Sequence, residues 1–182
     1  MISRQKAYEL VVERVKQKNL VKHILAVEAV MRRLAGHFNE DADYWGLTGL
    51  LHDLDYSKTA DQPEKHTYLT AEWLKEYQLP EDMLHAIHAH PGHIPCESKL
   101  DWALFCCDPV TGLIVAGVLM HPSKKLAHVD ADYMLRRFKE KRFAAGADRE
   151  AIANCEKLGL SLDQFMTLAL EGMRSISDEL GF

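Results

Sequence analysis

Apolar residues recur at three- and four-residue intervals along almost the whole chain, and alternating apolar-polar runs are scarce, so the pattern predicts an all-α protein. Ser3 to Lys16 forms a first amphipathic segment. A second starts near Asn19, where Leu20, Ile24, Val27, Met31 and Leu34 make one buried stripe. A third covers about Asp41 to Leu54. After a polar loop holding Lys58, Asp61 and Pro63, helical spacing returns from Thr67 to Tyr77, and Pro80 opens a further helix that stops near Pro91-Gly92. From Ser98 to about Met120 the spacing is helical again. Pro109 lacks the backbone N–H that an interior helical residue donates, so a kink or break is expected beside Asp108. The remaining helices are expected from Ala131 to Arg142, from about Asp148, and from Ser161, where Ser161 and Gln164 have capping-box spacing.

No repeat, low-complexity tract or linker interrupts this pattern. The 182 residues are therefore read as one domain, 1–182, large enough to bury a substantial core. An apolar fraction of 47%, a charged fraction of 27% and a net charge of −5 are those of an ordinary globular protein and give no sign of a nucleic-acid binder. The start of the chain lacks the apolar core of a secretory signal, and the longest uninterrupted apolar run, Leu113 to Met120, is too short to span a bilayer. Cys96, Cys106, Cys107 and Cys155 show no CxxC spacing. A cytoplasmic protein without a membrane partner is expected.

The histidines change the picture. Seven of the ten fall between His23 and His90, and His52 is followed directly by Asp53 at the end of an apolar helix. An imidazole nitrogen beside a carboxylate can hold a divalent ion and partly neutralise it. His23 lies at the edge of the second helix's apolar stripe, aligned with Val27, Val30 and Leu34, and so points partly inward; alone, it would read as a core histidine bonded to a carbonyl. Asp108 sits in the apolar run Trp102 to Leu113, where an unpaired carboxylate is costly. It could equally cap a helix that starts at Pro109.

In order and helical context, His23, His52-Asp53 and Asp108 resemble the H…HD…D signature of the HD-domain superfamily, helical metal-dependent phosphohydrolases, and their surroundings are similar to its HDIG-type branch. The likeness covers about residues 19–120 as the core, leaving 121–182 as C-terminal helices packed on it. It departs at the glycine-lysine that follows the family's doublet, replaced here by Asp55-Tyr56, with Lys58 further on. The resemblance implies that His23, His52, Asp53 and Asp108 hold one divalent ion, Mn, Fe, Zn, Co or Ni, with Mg as a further possibility.

Some family members carry two more histidines that hold a second ion. His66 fits the first. His85, His88 and His90 compete for the second, and His90 lies nearest the inward face set by Met83, Leu84 and Ile87. Otherwise His66 is a solvated loop residue, and His88 and His93 belong to a polar helix end. A bridging Asp53 would hold two ions roughly 3.5–4 Å apart, a separation that suits a bridging water as the attacking group on phosphorus.

Asp53 is the expected catalytic centre. Asp55 is expected to tune a ligand histidine or shuttle a proton, or else to cap or contact Lys58. Arg136, Arg137 and Lys141 belong to a local excess of positive charge between His121 and Phe143; with Lys58 they are candidates for a phosphate clamp, although a solvated helix face explains such a run equally well. The expected reaction is hydrolysis of a phosphomonoester or phosphodiester in a small nucleotide or related metabolite. The same ligand set also suits a di-iron oxygenase of this fold, or a metal-binding regulatory module without turnover.

Overall fold

The computed structural model describes residues 2–182 as helices joined by short loops and turns, with no strand among them. Capping side chains start many of the helices. Ser3 caps α1 (Arg4–Arg14), Asp41 caps α3 (Ala42–Leu51) and Ser98 caps α7 (Lys99–Met120), each accepting a hydrogen bond from a first-turn amide. Asp130, Asp148 and Ser161 do the same for α8 (Ala131–Lys139), α9 (Arg149–Ala153) and α10 (Leu162–Arg174). Ser161 and Gln164 form the reciprocal capping box that their spacing predicts.

α2 (Lys18–Phe38) is the spine. Ile24, Val27, Met31 and Leu34 are fully buried, and the helix packs along α3 on one side and α10 on another. Gly172 of α10 permits that second crossing, because a Cβ there would stand 2.8 Å from the Ala29 carbonyl oxygen and 2.9 Å from Val30 Cα. Buried Glu28 on α2 is paired by Arg4 at 2.9 Å and Arg32 at 3.0 Å. α7 crosses α2 and takes α6 (Glu81–Ala89), α9 and α10 against its other faces. The short helices α4 (Tyr56–Thr59) and α5 (Tyr68–Leu74) follow α3, and α11 (Ser177–Leu180) returns to α2.

Several boundaries move. α3 ends at Leu51, so that residues 52–55 form turns, and α8 stops at Lys139. α7 runs unbroken through Pro109, which places Asp108 inside the helix and not at a cap. Pro109 has no N–H to give the Phe105 carbonyl, and both residues line the cavity beside Asp108. α7 also corrects the reading of apolar length. Its 22 residues, with mean hydropathy 2.0 in the most apolar window, would suit a membrane span by length and composition, but here 56% of that window is buried inside the protein.

Candidate metal centre

Five elements deliver the six side chains singled out as ligands. His23 comes from α2, His52 and Asp53 from the end of α3, His66 from the turn before α5, His90 from the end of α6 and Asp108 from mid-α7. Two of these elements present carbonyl ends: His52 and His90 are the residues that terminate α3 and α6. The negative ends of two helix dipoles therefore add to the carboxylates and favour a cation here.

Asp53 lies between two groups of imidazoles. Its Oδ2 is 3.7 Å from His23 Nε2 and 3.6 Å from His52 Nε2, while its Oδ1 is 3.3 Å from His66 Nε2 and 3.6 Å from His90 Nε2. Asp108 closes the first group, with Oδ1 3.0 Å from His23 Nε2 and 4.0 Å from His52 Nε2. The His66 and His90 Nε2 atoms are 3.2 Å apart. Donor atoms of His23, His52 and Asp108 all lie within 4.8 Å of one another, as do those of His52, Asp53 and His90.

The other nitrogen of each ring is fixed. His52 Nδ1 donates to the Gly49 carbonyl and His90 Nδ1 to the Ile87 carbonyl, both at 2.7 Å. Thr111 donates its hydroxyl to the Asp108 carbonyl, which leaves its oxygen to accept from His23 Nδ1 at 3.0 Å. His66 Nδ1 donates to Asp55 at 2.7 Å. Asp55 is itself held by the Thr70 amide at 2.9 Å and the Thr59 hydroxyl at 3.2 Å. Ligand imidazoles commonly need such partners, which set the tautomer and aim Nε2 at the metal. The Asp55 side chain is thus buried behind His66 and does not line the cavity, and Asp55 meets Lys58 through the backbone alone, its carbonyl accepting from the Lys58 amide at 2.8 Å at the start of α4.

A test of fit is available at His52. Its Nε2 is buried with no hydrogen-bond partner, a costly state for a polar atom that a cation would relieve. Burial pushes this imidazole down to about 4, further than the charges of Asp53 and Asp108 can offset, so it is neutral at pH 7 with a free lone pair. His66 goes the other way: burial would lower it, but hydrogen bonds to Asp53 and Asp55 outweigh that and raise it to about 9. Burial alone would raise Asp53, yet its electrostatic interaction with the adjoining His52 ring and hydrogen bonds from His66 and His90 hold it well below the usual carboxylate range. Without an ion, protons on the histidines do part of the work a cation would do. The donor set, imidazoles with two carboxylates, fits a first-row divalent metal.

Beside these atoms lies a cavity of about 540 Å³, lined, besides the ligands, by residues that include Leu20, Tyr56, Phe105, Gly146, Asp148 and Ala151. Lys58, Arg136, Arg137 and Lys141 are not part of this lining. Lys58 lies over the Trp73 ring, and Arg137 is paired with Glu140 and stacked near Tyr133 and Phe143. Arg136 and Lys141 are solvent-exposed. α8 packs on α10 and α7 away from the ligands, so the expected phosphate clamp is not assembled. His85 pairs with Asp101 at 3.1 Å, His88 with the Thr67 hydroxyl at 2.8 Å, and His93 donates to the His66 carbonyl at 3.0 Å.

The sequence reading passed over Thr59, Thr70 and Thr111, whose partners Asp55, Asp55 and His23 lie 4, 15 and 88 positions away. It also passed over Arg149, which spends all five N–H groups on backbone carbonyls of residues 138–147: Phe138, Glu140, Phe143, Ala144 and Ala147. This guanidinium fixes the irregular segment that runs to the cavity wall at Gly146 and Asp148.

Comparison with known proteins agrees with this geometry. The family model described as "HD domain" matches residues 20–153. Ribonuclease Y of Sulfurovum sp. (strain NBC37-1) is 24% identical over 168 residues, covering 91% of this chain and 33% of that protein. Ribonuclease Y of Aliarcobacter butzleri is 36% identical over 76 residues, 42% of this chain and 15% of that protein. Ribonuclease Y of Desulfotalea psychrophila is 26% identical over 148 residues, 78% of this chain and 28% of that protein. The chain thus spans no more than about a third of these relatives. No solved structure matches. The expectation that nucleic acid is not a partner draws no support from relatives that bear a ribonuclease's name. With more than half of its residues matched by the family model and its histidines and acids gathered as described, the chain belongs to the HD domain family.

Proposed function

We propose that this HD domain is a metal-dependent phosphohydrolase that cleaves a phosphoester of a nucleotide-like compound. The observation that carries the reading is the placement of Asp53, with one oxygen toward His23 and His52 and the other toward His66 and His90. His23, His52, Asp53 and Asp108 would hold one ion, and His66, His90 and the shared Asp53 a second. Bound divalent cations supply Lewis acidity toward phosphoryl oxygens and lower the pKa of water. The chain's own residues do the rest. Gly49, Ile87, Thr111 and Asp55 lock the tautomers of the four imidazoles, and Leu20, Tyr56 and Phe105 add apolar surface to the cavity lining. With no lysine or arginine in the cavity lining, charge stabilisation of the phosphoryl group falls to the metal centre itself.

A second reading, cleavage of RNA phosphodiesters, is favoured by the name shared by the relatives. One experiment addresses both. Protein prepared without chelators is analysed for metal, then tested with each metal found on mononucleotides, dinucleotides and an RNA oligonucleotide. Release of phosphate or of a mononucleotide from small substrates supports the first reading, and internal cuts in the oligonucleotide the second. Asp53→Ala should lose metal and turnover together; full turnover in that variant with matched metal content overturns both readings.

A further inference from the structure

His23 is also the inner end of a second cavity, of about 430 Å³, between the N-terminal half of α2 and the C-terminal half of α7. Asn19, Lys22 and Ala26 recur on α2 at i, i+3 and i+7, and Gly112, Val115 and Leu119 recur on α7 at the same spacing, so each helix turns one stripe toward the groove. Small residues keep it open: a Cβ on Gly112 would meet nothing within 4 Å. Leu180 and Phe182 contribute to its lining. A smaller cavity, under Ala144, Gly146 and Ala147, shares His23, Asp108 and Pro109 with the metal pocket and His23 and Gly112 with the groove. The three cavities therefore adjoin at His23, with Asp108 shared by two of them.

We propose that this groove is a substrate subsite that takes the organic group of the phosphoester, a flat aromatic ring system, while the phosphoryl group lies at the centre formed by His23, Asp53 and Asp108. The inference rests on the phosphohydrolase reading above. Three features select that occupant. The volume is that of a small-molecule site and not of a macromolecular surface. Val115, Leu119 and Ala26 offer apolar walls to the faces of a ring. Asn19 and Lys22 supply polar heads at the rim for its edge, where the Lys22 ammonium spends one donor on the Leu180 carbonyl at 2.7 Å and keeps others.

Gly112→Leu tests the proposal without endangering the fold, since the position is exposed, helical and unobstructed and leucine is the better helix former. Calorimetry on manganese-loaded protein compares 1-naphthylphosphonate with methylphosphonate, neither of which can be hydrolysed. Wild type should bind the naphthyl compound at least tenfold more tightly. Gly112→Leu should lose tenfold or more for that compound and stay within twofold for methylphosphonate, with metal content unchanged. Leu119→Ala, which removes one wall without filling the groove, should weaken the naphthyl compound several-fold. Equal affinities in wild type, a preference untouched by Gly112→Leu, or no binding of either compound overturns the subsite. Because the readout is binding, a wild type inert toward every ester would remove the phosphohydrolase reading and leave the ring preference measurable.

Discussion

Replacing Asp55 by asparagine probes the half of the centre built around His66. The carboxylate accepts from His66 Nδ1 at 2.7 Å, from the Thr70 amide at 2.9 Å and from the Thr59 hydroxyl at 3.2 Å. Asparagine keeps the volume but has one oxygen, so either His66 or the Thr70 amide must face an NH2 group, donor against donor. A hydrogen bond to a charged group contributes about 1.5–3 kcal/mol, which at about 1.4 kcal/mol per decade is about a ten- to hundredfold loss of affinity for an ion held by His66. Loss of an outer partner of a ligand histidine elsewhere falls in the same range, about 10–100-fold. The effect should be selective, because His23 and His52 are aimed by Thr111 and Gly49 and do not touch Asp55. Titration of chelated protein with manganese, followed by calorimetry and elemental analysis, should give two sites in wild type and in Asp55→Asn one intact site with the second weakened. Wild-type affinity and stoichiometry in the variant would refute the positioning role.

Other outcomes are expected as follows. Metal loading must displace the proton on His66, whose folded-state value is raised to about 9, so affinity should climb with pH toward that value, and Asp55→Asn should make the climb end at lower pH. In chelated protein the sign for stability is opposite: a raised histidine stabilises fully below its unfolded value of about 6.5 and loses that contribution as pH rises through about 9, which thermal melts at pH 6.5 and 9 would register as a smaller difference in Asp55→Asn. Gly172→Ala should cost about 1–3 kcal/mol by forcing α10 away from Ala29 and Val30, read as a lower midpoint in urea; an unchanged midpoint would show that the crossing has slack. Arg149→Met should leave metal content unchanged while exposing residues 140–147 to proteolysis, and protection equal to wild type would count against its role as their anchor.

What the sequence showed and what it hid divide along contact range. Helices announced themselves because caps such as Ser98 and Ser161, and stripes such as Ile24, Val27 and Met31, act within one or two turns. The grouping of His23, His52, Asp53 and Asp108 could be anticipated from the family resemblance, since order along helices is preserved in a motif. Pro109 misled because the proline rule describes a helix in isolation, whereas here α7 is held on several faces by α2, α6, α9 and α10. The basic run from Lys124 to Arg142 misled for a different reason: charge composition says nothing about which face a helix buries, and α8 turns its arginines to Glu140, aromatic rings and solvent. The threonines behind the imidazoles are ordinary residues in sequence, and only the fold sets Thr111 beside His23, 88 positions earlier.

Arg149 holds the wall of the metal cavity by main-chain oxygens, with the Phe138 ring as an aromatic face beneath its guanidinium. Apart from Phe138, such an anchor is blind to the identities of the residues it gathers. Lys141, Arg142 or Ala145 could be exchanged without disturbing the grip, whereas no change at the metal ligands is so harmless. The donor atoms and this part of the wall therefore stand on separate supports, so the short stretch that one guanidinium ties down can vary while the ligands keep their places.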